Sequence, residues 1–92
     1  MNLGTATTLH DGNMVYHDTM ICESLGNGKT RLNSGGWRTA TTKKRMNQYA
    51  EMMGHEWRVK QVDGEWFIGK PGQPLVCYAH LIDGASYDNI GW

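Results

Sequence analysis

The sequence predicts an α+β fold: an antiparallel sheet of hairpins packed on a single amphipathic helix, in the order β-β-β-α-β-β with a further short strand. Three observations predict it. Met46, Tyr49, Ala50 and Met53 recur at the spacing of one helix face. Asn27-Gly28 and Asp63-Gly64 sit between β-type runs, where two-residue hairpin turns favour those residues. The 92 residues are enough for one domain, spanning 1–92, with a core of modest size.

The first strand is expected over Thr5 to Leu9, before the turn signal Asp11-Gly12-Asn13. Met14 to His17 and Met20 to Glu23 are short β-type runs that read as one strand bent at Asp18. Asn27-Gly28 then returns the chain as Lys29 to Asn33. Gly28-Lys29-Thr30 ends like a phosphate-binding P-loop, but Glu23 stands where that motif needs its first glycine, and no helix follows.

The stretch Ser34 to Asn47 comes next: a glycine pair, Trp37, Arg38, three threonines and the basic run Lys43-Lys44-Arg45. The helix is expected from Thr41 to Met53, with Thr39, Thr41 or Thr42 capping its start and Gly54 its end. Lys44, Asn47, Gln48 and Glu51 fall on its polar side. Cations at a helix start oppose the macrodipole, each at a cost of about 0.3–1 kcal/mol. They are either solvated surface charges or, with the glycine pair, a place for a phosphate. Trp37 either stacks on a base or fills a partner's pocket, or it covers the end of the helix, which is the preferred reading.

After the helix, Asp63-Gly64 folds His55–Val62 back on Glu65–Gly69. That turn pairs Val62 with Glu65, Gln61 with Trp66 and Val59 with Ile68. One face then holds Trp57, Val59, Trp66 and Ile68 and packs on the helix; the other holds Arg58, Lys60, Val62 and Phe67 and reads as a solvated outer face. Leu75 to Ala79 is read as a last strand, and Asp83-Gly84 turns the chain again. Residues 70–92 form a loosely packed tail. Tyr78, Leu81, Tyr87, Ile90 and Trp92 are nonetheless too apolar for disorder, so they either wrap the domain or meet a partner.

Ser34-Gly35-Gly36-Trp37-Arg38-Thr39-Ala40-Thr41-Thr42-Lys43-Lys44-Arg45-Met46-Asn47 resembles a Gly-Trp-x-Thr-x-Thr-Thr-Lys-x-Arg-x-Asn stretch of small uncharacterised proteins of tailed bacteriophages. There the stretch follows a short strand and precedes a helix, and a tryptophan-containing strand comes later, as Trp66 does here. The resemblance covers about fourteen residues well and sixty loosely. It implies a phage or prophage origin and no particular activity.

Composition narrows the chemistry. The net charge is zero but unevenly spread: residues 24–50 carry six cations and no acid, whereas the segments on either side are acidic. A neutral chain is not a generic polyanion binder, although a local basic patch still can be one. No apolar run reaches the roughly 20 residues of a membrane span. The N-terminus has neither the basic start nor the apolar centre of a secretory signal, so a cytoplasmic location in the host is expected. Cys22 and Cys77 lack CxxC spacing and are expected as free thiols, with a disulfide open only if their strands are neighbours. His10, His17, His55 and His80 show no metal-ligand spacing. No nucleophile–base pattern stands out, and so small a sheet is expected to leave little room for a cleft of roughly 300 Å³ or more. No cofactor is expected.

Two function classes follow. The first is a non-catalytic phage accessory protein that docks on host machinery, such as a defence or nucleic-acid-processing complex, and inhibits or redirects it. The second is direct nucleic-acid binding through Arg38, Lys43, Lys44, Arg45 and Trp37, continued by Arg58 and Lys60. A small nuclease or hydrolase is a distant third.

Overall fold

The computed structural model describes residues 6–92. Its elements are β1 (Thr7–His10), β2 (Asn13–Tyr16), β3 (Thr19–Ser24), β4 (Lys29–Leu32), α1 (Ala40–Met53), β5 (Arg58–Val62), β6 (Glu65–Gly69), a 3-10 turn (Leu75–Cys77), β7 (Ala79–His80) and β8 (Ser86–Asp88). Every strand pairing is antiparallel. The class is α+β, with the strands divided between a five-stranded sheet, β1-β2-β3-β4-β8, and a three-stranded sheet, β5-β6-β7. The helix touches both, through β2 and β3 on one side and β5 on the other. The expected strand start at Thr5 lies outside the described residues.

Turn chemistry explains most of the register. Asp63 and Gly64 both have positive φ, as a type I′ turn requires, and the pairs Val62–Glu65, Gln61–Trp66 and Val59–Ile68 form as expected. His17 and Asp18 adopt positive φ as well, so β2 and β3 are two antiparallel strands and not one strand bent at Asp18. Neither residue is glycine, which hides this turn from pattern reading; aspartate and histidine are among the side chains that tolerate the region. At Asn27-Gly28 the loop is one residue longer than expected. It runs over Gly26, Asn27 and Gly28 and is closed by the Leu25 N–H to the Lys29 carbonyl at 3.1 Å.

The helix starts at the Thr39 cap, whose hydroxyl accepts from the Thr42 N–H at 3.3 Å, and ends at Gly54 in the left-handed region. Its buried face is Thr42, Met46, Tyr49 and Ala50, packed on Met14, Ile21, Cys22 and Leu32 and on Trp57, Val59, Trp66 and Ile68 in one core. Met53 departs from expectation: as the last helical residue it is more than one-third exposed. Asn47, expected on the polar side, docks on the edge of β5. Its amide donates to the Val59 carbonyl at 2.9 Å and accepts from the Val59 N–H at 2.7 Å, as a neighbouring strand would. Asn47 thereby satisfies both backbone groups of a buried edge residue.

Beyond β6 the chain carries three short elements. Leu75 to Ala79 is not a strand: Pro74 leads into the 3-10 turn, and only Ala79 and His80 pair with β6. The β8 strand, absent from the expected order, adds to β4 and closes the larger sheet on that side. Asn89 then ties the sheets together, because its side-chain oxygen accepts from the Thr30 hydroxyl at 2.7 Å and from the Trp57 indole at 3.2 Å. Of the two readings of the tail, wrapping holds for Leu81, Tyr87 and Trp92, whereas Val76, Ile82 and Ile90 face outward. Among the described residues no helix is long and apolar enough to cross a membrane.

Candidate functional site

The candidate site grows from the loop between β4 and α1. Ser34 is buried and anchors it: its N–H donates to Asp83 Oδ1 at 2.9 Å and its hydroxyl to Asp83 Oδ2 at 2.8 Å. Asn33 Oδ1 accepts from the Gly35 N–H at 2.7 Å, and the Trp37 N–H closes a turn on the Ser34 carbonyl at 3.0 Å. Gly35 and Gly36, at the centre of that turn, have φ of 65° and 85°. A β-carbon on Gly35 would lie 2.8 Å from the Thr19 side chain, so φ and space together demand glycine there. The turn projects Trp37 away from the domain. Its ring does not cover the helix end, as the preferred reading had it, but is 66% exposed.

The cations near this loop serve the fold. Arg38 Nη2 donates to the Leu81 carbonyl at 3.1 Å and lies 3.4 Å from Asp83 Oδ1, with its guanidinium 5.3 Å from the Trp66 ring centre. Lys43 reaches Gln61 Oε1 at 3.2 Å and also overlies Trp66, at 5.9 Å. Arg45 donates to the Thr7 hydroxyl at 3.1 Å and to Gln48 Oε1 at 2.9 Å. Lys44 is exposed and has no partner among the described residues. Arg58 and Lys60 sit on the opposite face of the β5–β6 hairpin. Arg58 donates to the His55 and Trp57 carbonyls at 2.8 and 2.6 Å, and Lys60 lies 4.1 Å over the Tyr78 ring. That face is not the solvated surface expected, because Tyr78 and His80 cover it and Phe67 is buried.

Beside Trp37 a groove of about 450 Å³ opens toward the β2–β3 turn, larger than so small a sheet was expected to leave. Ile21, Ser34 and Thr42 form its buried floor, and Tyr16, His17, Thr19, Trp37 and Thr39 its walls. The Tyr16 and His17 rings stand 4.4 Å apart at 58°. The Thr39 and Thr42 hydroxyls share a hydrogen bond of 3.1 Å. The Tyr16 hydroxyl, the Thr19 hydroxyl and the Trp37 indole N–H make no hydrogen bond among the described residues. Sequence reasoning found Trp37 but not Tyr16, His17 and Thr19, whose place in the site depends on the glycine-free turn at His17-Asp18.

Other reactive groups are dispersed. His10 pairs with Asp11 and His80 with Glu65, both exposed. His55 forms a triangle of rings with Tyr49 and Trp57, tilted against each at centroid distances of 5.8 and 5.9 Å; partial burial, then the nearby Arg58 charge, lowers its pKa. Cys22 is a buried free thiol whose pKa burial pushes well up, and Cys77 is free and exposed. The two lie in β3 and in the 3-10 turn, which are not neighbours in either sheet. Among the described residues no cluster of three or more histidine, cysteine or carboxylate side chains could hold a metal ion.

Residues 4–86 match the family model described as Kyanoviridae Gp96 protein, a span that includes the loop, the helix and both walls of the groove. No curated protein and no solved structure matches the chain.

Proposed function

The chain belongs to the Kyanoviridae Gp96 family of phage proteins, and we propose that it is a non-catalytic accessory protein that acts by docking on a host or phage protein through the surface around Trp37. One observation carries this reading. Within the Ser34–Asn47 stretch Ser34, Arg38, Thr39, Thr42, Lys43, Arg45, Met46 and Asn47 are buried or bonded within the domain, whereas Trp37, the one large apolar side chain left exposed there, is 66% exposed on a turn held by Ser34. Exposed indole is unfavourable in water, and buried tryptophan anchors carry much of the binding energy at protein interfaces. A rigid turn lowers the ordering cost of docking. Inhibition or redirection of a host defence or nucleic-acid-processing complex is the action we assign to it.

The test is site-specific photo-crosslinking in phage-infected cells, with a benzophenone amino acid placed at Trp37 and, separately, at Val76, which is 89% exposed. The docking reading expects a discrete protein adduct from position 37 that position 76 does not give. Adducts of equal yield from both positions, or none from position 37, would contradict it.

Direct nucleic-acid binding is the second reading. It is favoured by one observation: Lys43, Lys44 and Arg45 have no carboxylate partner among the described residues. Fluorescence anisotropy with labelled single- and double-stranded DNA and RNA at low salt tests it. Binding that weakens with salt and disappears in Lys43→Ala/Lys44→Ala/Arg45→Ala supports a phosphate site; no binding at low salt removes it.

A further inference from the structure

We propose that the groove beside Trp37 receives an uncharged aromatic side chain carried on a short extended peptide segment of the docking partner. The inference rests on the docking reading above and names the chemistry that the surface selects. Its floor is apolar at Ile21, and its walls carry the rings of Tyr16, His17 and Trp37, which suit another ring in stacked or edge-on packing. A volume of about 450 Å³ is in the range of ligand-binding clefts and exceeds the space one side chain needs.

Electrostatics select the occupant further. Among the described residues no lysine, arginine, aspartate or glutamate lines the groove, and His17 is the one imidazole that does. A charged side chain would lose hydration there without gaining an ion pair. Among the described lining residues a nucleotide would find no lysine or arginine for its phosphate, and the neighbouring Arg38 is committed to Leu81 and Asp83. The hydrogen-bonding groups point instead to a peptide backbone. The Tyr16 hydroxyl, the Thr19 hydroxyl and the Trp37 indole N–H have no partner among the described residues, so they are available to amide C=O and N–H groups at the rim. The groove is preformed: Gly35 packs against Thr19 in one wall, and Asp83 fixes Ser34 in the floor.

The test uses N-acetyl-tryptophanamide as a minimal probe, with N-acetyl-lysine amide, N-acetyl-glutamate amide and thymidine monophosphate as comparisons. Each is titrated into the millimolar range while amide and indole NMR signals are followed. The expected result is a saturable shift of the Trp37 indole and of the Thr19, Ser34 and Thr39 amides with N-acetyl-tryptophanamide alone. Trp37→Ala should abolish the shifts of the Thr19, Ser34 and Thr39 amides, and Trp37→Phe should retain them. No shift at these positions, or equal shifts with the charged probes, would overturn the inference. A response to thymidine monophosphate alone would overturn it in favour of a nucleic-acid occupant. A partner crosslinked at position 37 while the groove ignores the aromatic probe would sink this inference and leave the docking reading standing.

Discussion

Gly35 shows how tightly the loop is determined at the scale of one residue. Its φ of 65° is uncommon for a side chain, and a methyl group would press on Thr19 at 2.8 Å. Gly35→Ala should therefore destabilise the domain by about 1–3 kcal/mol, read as a lowered urea midpoint. His55 gives a pH signature with a definite sign. Its folded pKa lies below the ordinary 6.5, so the unfolded chain binds the proton more readily. Its contribution is complete above the unfolded value and is lost as pH falls from about 6.5 through the lower folded value. Urea midpoints of wild type should drop across that window, and His55→Gln should drop less.

Asn47 displays both the reach and the limit of sequence reading at the scale of an element. Helical periodicity identified Met46, Tyr49 and Ala50 as the buried face, and the glycine cap at residue 54 followed from its position. The same periodicity assigned Asn47 to the polar side, because it cannot register that a strand edge runs past that flank. Asn47→Ala would leave the N–H and C=O of buried Val59 without their side-chain partners, so a loss of roughly 1–3 kcal/mol is expected in chemical denaturation. Asp63-Gly64 was legible because its residues are the ones a type I′ turn favours, whereas His17-Asp18 was not, since its backbone is imposed by the pairing of β2 with β3. The groove shares this limit: one wall comes from the hidden turn, and the other comes from a loop whose outward tryptophan had been expected to lie on the helix.

The whole molecule holds two sheets around one helix, and its closure depends on the C-terminal residues. Leu81 enters the core, β8 completes the larger sheet, and Asp83 and Asn89 reach back to Ser34 and to Thr30 and Trp57. Residues so far apart in sequence carry no local pattern, so these contacts are not legible in the tail itself, although its apolar content points to packing. Asn89→Ala removes an acceptor shared by the two buried residues Thr30 and Trp57 and should cost about 1–3 kcal/mol. It should also increase hydrogen exchange across β4 and β8 more than across β1 and β2. The surface follows the same logic. Most of the cations of the Ser34–Asn47 stretch are drawn into closing the domain, which leaves Trp37 and Lys44 exposed to solvent.

The measurement that tests this account most directly is quantitative affinity capture from nuclease-treated extracts of phage-infected cells. Immobilised wild type is set beside Trp37→Ala and Lys43→Ala/Lys44→Ala/Arg45→Ala, after each variant is shown to retain its fold by thermal melting. The account predicts a protein retained by wild type and by the triple variant but lost from Trp37→Ala, with affinity reduced by roughly 30-fold or more, the consequence of about 2 kcal/mol at a hot spot. Trp37→Ala itself should melt close to wild type, because the exposed ring gives the fold little. Equal retention by Trp37→Ala, or loss from the triple variant of the protein that wild type retains, would contradict it.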